Sequence, residues 1–233
     1  MVAREFIPWL LAALISLLLF AGLSLADPET FFSGTVLDAA TGRPLAGATV
    51  QVTASDGAPP SGTLQVTTSA DGRFQLTVNA GLHDVTISHP ERVPVFRLVS
   101  ASAGQGTDVL DPRLEKLAAR KTLGVAGGTL TSSSGARLVV LAGALADARE
   151  LSLTALGEQS LPALLPYGWS PRGAAWVETA GATFAVPATL HLPVESPAGT
   201  VLTITARRPF MVMAMRPRFS SRAGPPKISL RQP

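Results

Sequence analysis

The chain has 233 residues, 46% of them apolar, and no cysteine. That is enough for one large or two small domains held by packing alone, and it excludes disulfides, thiolate metal sites, a cysteine nucleophile and a lipidated N-terminal cysteine. The net charge of +3 is unevenly placed: residues 27–195 carry 11 basic and 15 acidic side chains, and residues 196–233 carry 7 basic and none acidic. A nucleic-acid binder carries its positive charge on a folded surface, so a mildly acidic body with a basic tail argues against that class. Arginine outnumbers lysine 16 to 3 and Asn79 is the only asparagine, a bias that reads as GC-rich coding sequence and points toward a bacterium.

Residues 6–26 contain no charged side chain, and 10–20 are almost entirely Leu, Ala, Ile and Phe. With Arg4 before them and Ser24-Leu25-Ala26 as a small-x-small cleavage site, residues 1–26 read as a signal peptide cut before Asp27. The other reading is a retained membrane anchor, since about 20 apolar residues suffice to cross a bilayer. Either places the remainder outside the cytoplasm.

The stretch 34–52 reads as strand, turn, strand. Val36 lies in the first strand, residues 38–44 supply a polar Thr-Gly-x-Pro turn, and Ala48, Val50 and Val52 alternate with Thr49 and Gln51 at the two-residue period of a half-buried strand. Residues 56–62, with Pro59 and Pro60, form a loop that reverses the chain. A strand over 64–68 follows, then a tight turn at Ala70-Asp71-Gly72-Arg73 in which Gly72 takes positive φ. Phe74, Leu76 and Val78 then point inward. Further strands at 83–88, 93–99 and 108–110 bring the number to about seven, which suits a sandwich.

Four matched features lie in this region: Gly34-x-Val36-x-Asp38, Thr41-Gly42-x-Pro44-Leu45-x-Gly47-Ala48-x-Val50, Asp71-Gly72-x-Phe74 and Ala80-Gly81-x-x-x-Val85. Together they resemble the carboxypeptidase regulatory-like domain, a small transthyretin-like β-sandwich, over about residues 31–114 of a first domain assigned to 27–114. The zinc peptidase that gives the family its name has no counterpart, because none of His83, His89 and His191 is followed three residues later by glutamate. Asp71 is read as a turn residue, since a calcium loop spaces several oxygen ligands through one segment and this one offers a single carboxylate.

Residues 115–124 are assigned as a linker, helical or extended. A second domain, 125–206, opens on Gly127-Gly128, which is no phosphate loop because no Gly-Lys-Ser/Thr follows. Strands are expected at 127–131, 136–141, around Leu151 and Leu153, at 176–178 with Trp176 in the core, at 188–193 and at 200–206. The order of glycine pair, Ala142-Gly143-Ala144-Leu145 and Gly181-x-x-Phe184-x-x-Pro187-x-Thr189-Leu190 resembles the β-sandwich of ankyrins and netrin receptors, which bacterial surface proteins also carry. Leu141 departs from that pattern, and closing strands are not evident after Ala206. This leaves the second sandwich incomplete and its last strand an exposed edge. Residues 207–233 lose all alternation and are expected to be a disordered basic tail. That tail suits either a truncated or frame-shifted end of a longer protein, or a segment touching anionic lipid or polysaccharide.

No Gly-x-Ser-x-Gly is present, and Gly168-Trp169-Ser170-Pro171 puts proline where an oxyanion donor is needed. Glu150, Glu158 and Glu178 occupy ordinary polar positions, and His191 is on the wet side of its strand. Tyr167-Gly168-Trp169 is the one stretch that offers loop aromatics as a contact surface for sugars or proteins, against the alternative of buried anchoring. The fold expected is all-β, two small sandwiches in tandem after an N-terminal signal or anchor helix. The function expected is that of a non-catalytic, exported bacterial binding or structural module, secreted, periplasmic or at the cell surface. It has no enzymatic activity and no cofactor, metal or nucleic acid, and the ligand-binding residues are unknown. Its partner is a protein or polysaccharide at the cell surface, and it meets membrane only through the N-terminal segment if that is uncleaved. The alternative is an accessory domain of an exported enzyme or outer-membrane transporter.

Overall fold

A computed structural model describes residues 28–118, 120–165 and 167–193, together with the backbone of three later strands in 201–206, 210–217 and 227–231. The signal or anchor assigned to residues 1–26 lies outside the described residues. Among those described the secondary structure is all-β, with no helix.

The first unit contains β1 (Phe31–Thr35), β2 (Leu37–Asp38), β3 (Thr49–Ser55), β4 (Gln65–Thr67), β5 (Arg73–Thr77), β6 (Gly81–Ser88), β7 (Val95–Ala101), β8 (Gly106–Asp108) and β9 (Arg113–Leu114). One sheet has the order β5-β1-β8, the other β4-β3-β6-β7, and β2 and β9 form a short parallel pair. The stretch 34–52 does hold a strand on each side of a turn, but the two strands do not pair. β1 hydrogen-bonds to β5 and β8, while β3 hydrogen-bonds to β4 and β6, so the turn carries the chain from one sheet to the other. Asp38 builds that turn by accepting from the Thr41 amide at 2.8 Å and the Thr41 hydroxyl at 2.9 Å. Gly72 has the expected positive φ, 71°, and a Cβ there would sit 2.7 Å from the Val36 carbonyl oxygen. Phe32, Val50, Val52, Phe74, Leu76, Val85 and Ile87 share one core between the sheets, as the two-residue alternation requires.

The second unit contains β10 (Arg120–Leu123), β11 (Gly128–Thr131), β12 (Arg137–Val140), β13 (Arg149–Leu156), β14 (Trp169–Glu178), β15 (Ala188–Pro193), β16 (Val201–Ala206), β17 (Phe210–Pro217) and β18 (Lys227–Arg231). Its two antiparallel sheets run β10-β13-β14-β17-β18 and β11-β12-β15-β16, and Leu138, Leu145, Leu151, Leu153, Phe184 and Leu190 fill the space between them.

Two assigned boundaries are corrected here. Arg120–Leu123, placed in the linker, is a strand paired to β13. Residues 207–233, expected to be disordered, contain β17 and β18, so the sandwich does not stop at 206. The physical reason is that residues 210–215 form an unbroken apolar run, Phe-Met-Val-Met-Ala-Met, which carries no two-residue period yet can serve as a strand wherever a neighbour offers an unpaired edge. β14 offers that edge. β16 is nonetheless an edge strand of its sheet, as expected from the chain order.

The boundary between the units is also not a gap. A third core contains Val93 from the first unit with Leu156, Leu161, Ala174 and Trp176 from the second, and Phe96, Leu117 and Leu165 pack against it. The ring centroids of Phe96 and Trp176 are 6.5 Å apart. The Phe96 amide donates to the Pro162 carbonyl at 2.7 Å, and the Ala118 amide donates to the Thr154 hydroxyl at 3.0 Å. Apolar packing and backbone hydrogen bonds therefore both cross the boundary. The five-stranded sheet is apolar on both faces at β14: Ala175 and Val177 enter the sandwich core, and Ala174 and Trp176 enter the junction.

Candidate functional site: a cleft at the junction

β7 is the last strand of its sheet, and its inward-pointing positions should all be apolar. Val95, Val99 and Ala101 obey this, but the position between Val95 and Val99 is Arg97. The residue is only 8% exposed. Nη1 donates to the carbonyls of Phe96 at 2.9 Å and Pro162 at 3.2 Å, and Nε to the carbonyl of Leu110 at 3.4 Å. These acceptors are neutral, and among the described residues no carboxylate forms an ion pair with it. Burial pushes the guanidinium down to about 10, which leaves it charged at neutral pH. The loop after β13 thus supplies part of the cage that holds a cation contributed by the first unit.

Arg97 lies in the wall of a cleft of about 520 Å³ at this junction. Asp111 and Arg113 line it from the first unit, and Glu158, Tyr167 and Trp169 from the second. Clefts between packed units are frequent sites of small-molecule binding, with volumes of roughly 300–1,000 Å³. Pro171, which also lines the cleft, sits where the β14–β17 register shifts between Pro171 and Gly173. A bulge tolerates the missing proline amide and re-aims the strand next to the cleft.

The aromatic loop divides in two. Tyr167 is 95% exposed, so buried anchoring fails for it, while Trp169 opens β14 half-buried. Of the three glutamates considered, only Glu158 reaches the cleft; Glu150 lies 3.6 Å from Arg120, and Glu178 ends β14. His83 is buried in the first unit, where Nε2 must donate to the Asn79 carbonyl at 2.9 Å, because a carbonyl only accepts. Nδ1 is left to accept from the Ser55 hydroxyl at 2.9 Å. Asp71 stays in its exposed turn, where a hydrogen bond from the Ser69 hydroxyl outweighs desolvation and keeps its carboxyl below the ordinary value. His191 is half-buried between the inward-facing Leu190 and Leu192.

Arg97 escaped the sequence reading. The signal was present as a charge at the inward parity of a Val-x-Arg-x-Val segment, a violation that a strand tolerates only where the guanidinium can reach polar atoms at the sheet edge.

Residues 32–115 match the family model of the carboxypeptidase regulatory-like domain, the region singled out by the glycine and turn motifs. A solved structure of a DUF3823 family protein from Bacteroides uniformis ATCC 8492 aligns with 87% of this chain and 96% of its own length, at 14% identity and a TM-score of 0.31. A comparison with curated proteins finds no match.

Proposed function

We propose that this chain is a non-catalytic binding module that works outside the cytoplasm of a bacterium, secreted, periplasmic or at the cell surface, and that it engages its partner through the junction cleft. The observation that carries the reading is the buried, charged Arg97 in the wall of a cleft edged by the exposed Tyr167. Keeping a guanidinium in a sandwich wall costs free energy that an apolar side chain at the same place would not, and a ligand-facing cation is a function that offsets it. The family match over 32–115 supports a module rather than an enzyme. The uncharged run over 6–26 supports export. The second unit is read as the sandwich type of ankyrins and netrin receptors.

Production of the full chain in a bacterial host, followed by fractionation and intact-mass measurement, tests the compartment. The expected product lies outside the cytoplasm and begins at Asp27. Unprocessed protein confined to the cytoplasm contradicts the reading.

A further inference from the structure

The charges of the cleft narrow the chemistry of its occupant. Arg97, Arg113, Asp111 and Glu158 line one space, so the charges of its lining sum to zero. An anionic ligand that met the guanidinium groups would also meet two carboxylates, and a cationic ligand would meet two guanidinium groups, one of them desolvated. A sugar hydroxyl escapes this conflict because it accepts from a guanidinium and donates to a carboxylate with the same oxygen. The Gln159 amide, also in the lining, donates and accepts as well.

The remaining walls fit the other half of a sugar's surface. Tyr167 is 95% exposed, and Trp169, at the start of β14, lines the same cleft. An aromatic face takes the apolar C–H face of a pyranose, and Tyr does so with little loss of rotamer freedom. Arg97 supplies the independent mark of a built site. Three neutral carbonyls occupy its Nε and Nη1, Nη2 has no protein acceptor among the described residues and is not sealed from solvent, and the residue is more than nine-tenths buried.

From these observations we infer that the junction cleft binds a neutral carbohydrate, with hydroxyls shared between Arg97 and the cleft carboxylates and a ring face against Tyr167. This rests on the proposed reading of the chain as a binding module and specifies what it binds.

Affinity electrophoresis of the purified full chain in native gels is the test. Laminarin, xylan, mannan and soluble starch serve as neutral polysaccharides, and alginate and polygalacturonate as acidic ones. Retardation by at least one neutral polysaccharide is expected. Tyr167→Ala, at a position 95% exposed, is expected to weaken it about tenfold, with Tyr167→Phe close to the parent. Arg97→Gln should abolish it; if that variant does not fold, Tyr167→Ala and Glu158→Gln decide instead. Retardation by none of the neutral polysaccharides, or retardation untouched by Tyr167→Ala, overturns the inference. Binding confined to the acidic pair and lost in Tyr167→Ala also overturns it, while leaving the chain a binding module that uses this cleft.

Discussion

Asp38 begins the turn after β2 and also closes it against the far side of the first unit, where Arg92 pairs with it and donates to the Leu114 carbonyl at 3.1 Å. Both side chains are only 16% exposed, so solvent screens the pair weakly. Desolvation is the largest single influence on the Asp38 carboxyl and raises its pKa. Hydrogen bonds from the Thr41 amide, Arg92 and the Thr41 hydroxyl outweigh it, together with the Arg92 charge, and hold the pKa below the ordinary 3.8. A carboxyl with a depressed folded pKa contributes stability that is complete above its unfolded pKa and is lost as pH falls through the folded one. Asp38→Asn is therefore expected to lower stability at pH 7 by about 2 kcal/mol and to flatten the decline below pH 3.8. Urea melts of both proteins from pH 2 to 7 check this; parallel pH profiles would count against it.

β14 shows how one strand serves two interfaces. Successive side chains point to opposite faces, so Ala174 and Trp176 belong to the junction while Ala175 and Val177 belong to the second sandwich. Glutamate at either alanine would bury an unpaired charge at a cost of several kcal/mol, but the structural consequence differs by face. Ala175→Glu is expected to unfold the second unit. Ala174→Glu is expected to part the units and leave both sandwiches folded. Limited proteolysis and two-dimensional amide NMR distinguish the outcomes: loss of dispersion in the Ala174→Glu spectrum, or a native spectrum for Ala175→Glu, would contradict the assignment of faces. The neighbouring β13 is likewise buried on both faces. Leu151 and Leu153 enter the sandwich core, and Ser152 and Thr154 on the other face are also buried, with the connector's Ala118 amide donating to the Thr154 hydroxyl.

For the molecule as a whole, the junction core couples two sandwiches that each have a core of their own. Domain contacts of this kind make unfolding cooperative when the shared apolar surface is substantial. The full chain is expected to melt in one calorimetric transition. Trp176→Ala, which removes the largest junction side chain at a cost of about 3–5 kcal/mol, is expected to split it into two. Two resolved transitions in the parent protein would show the sandwiches to be energetically independent.

Local chemistry was legible in the chain itself. Two-residue alternation placed Phe74, Leu76 and Val78 in a core, Asp38 and Gly72 announced turns that only their side-chain chemistry or positive φ permits, and the resemblance carried by the glycine and turn motifs covered about residues 31–114, where the family model matches 32–115. Those signals are short-ranged, because pleat and turn geometry involve neighbours along the chain. The pairing of β1 and β3 with different partners, the recruitment of 210–217 to the edge of β14, and the burial of Trp176 against the other unit depend on surfaces far apart in sequence. So does the cleft. Arg97 and Tyr167 are 70 residues apart, and only the docking of the loop after β13 onto the edge of β7 brings a caged cation and an exposed aromatic ring to one opening.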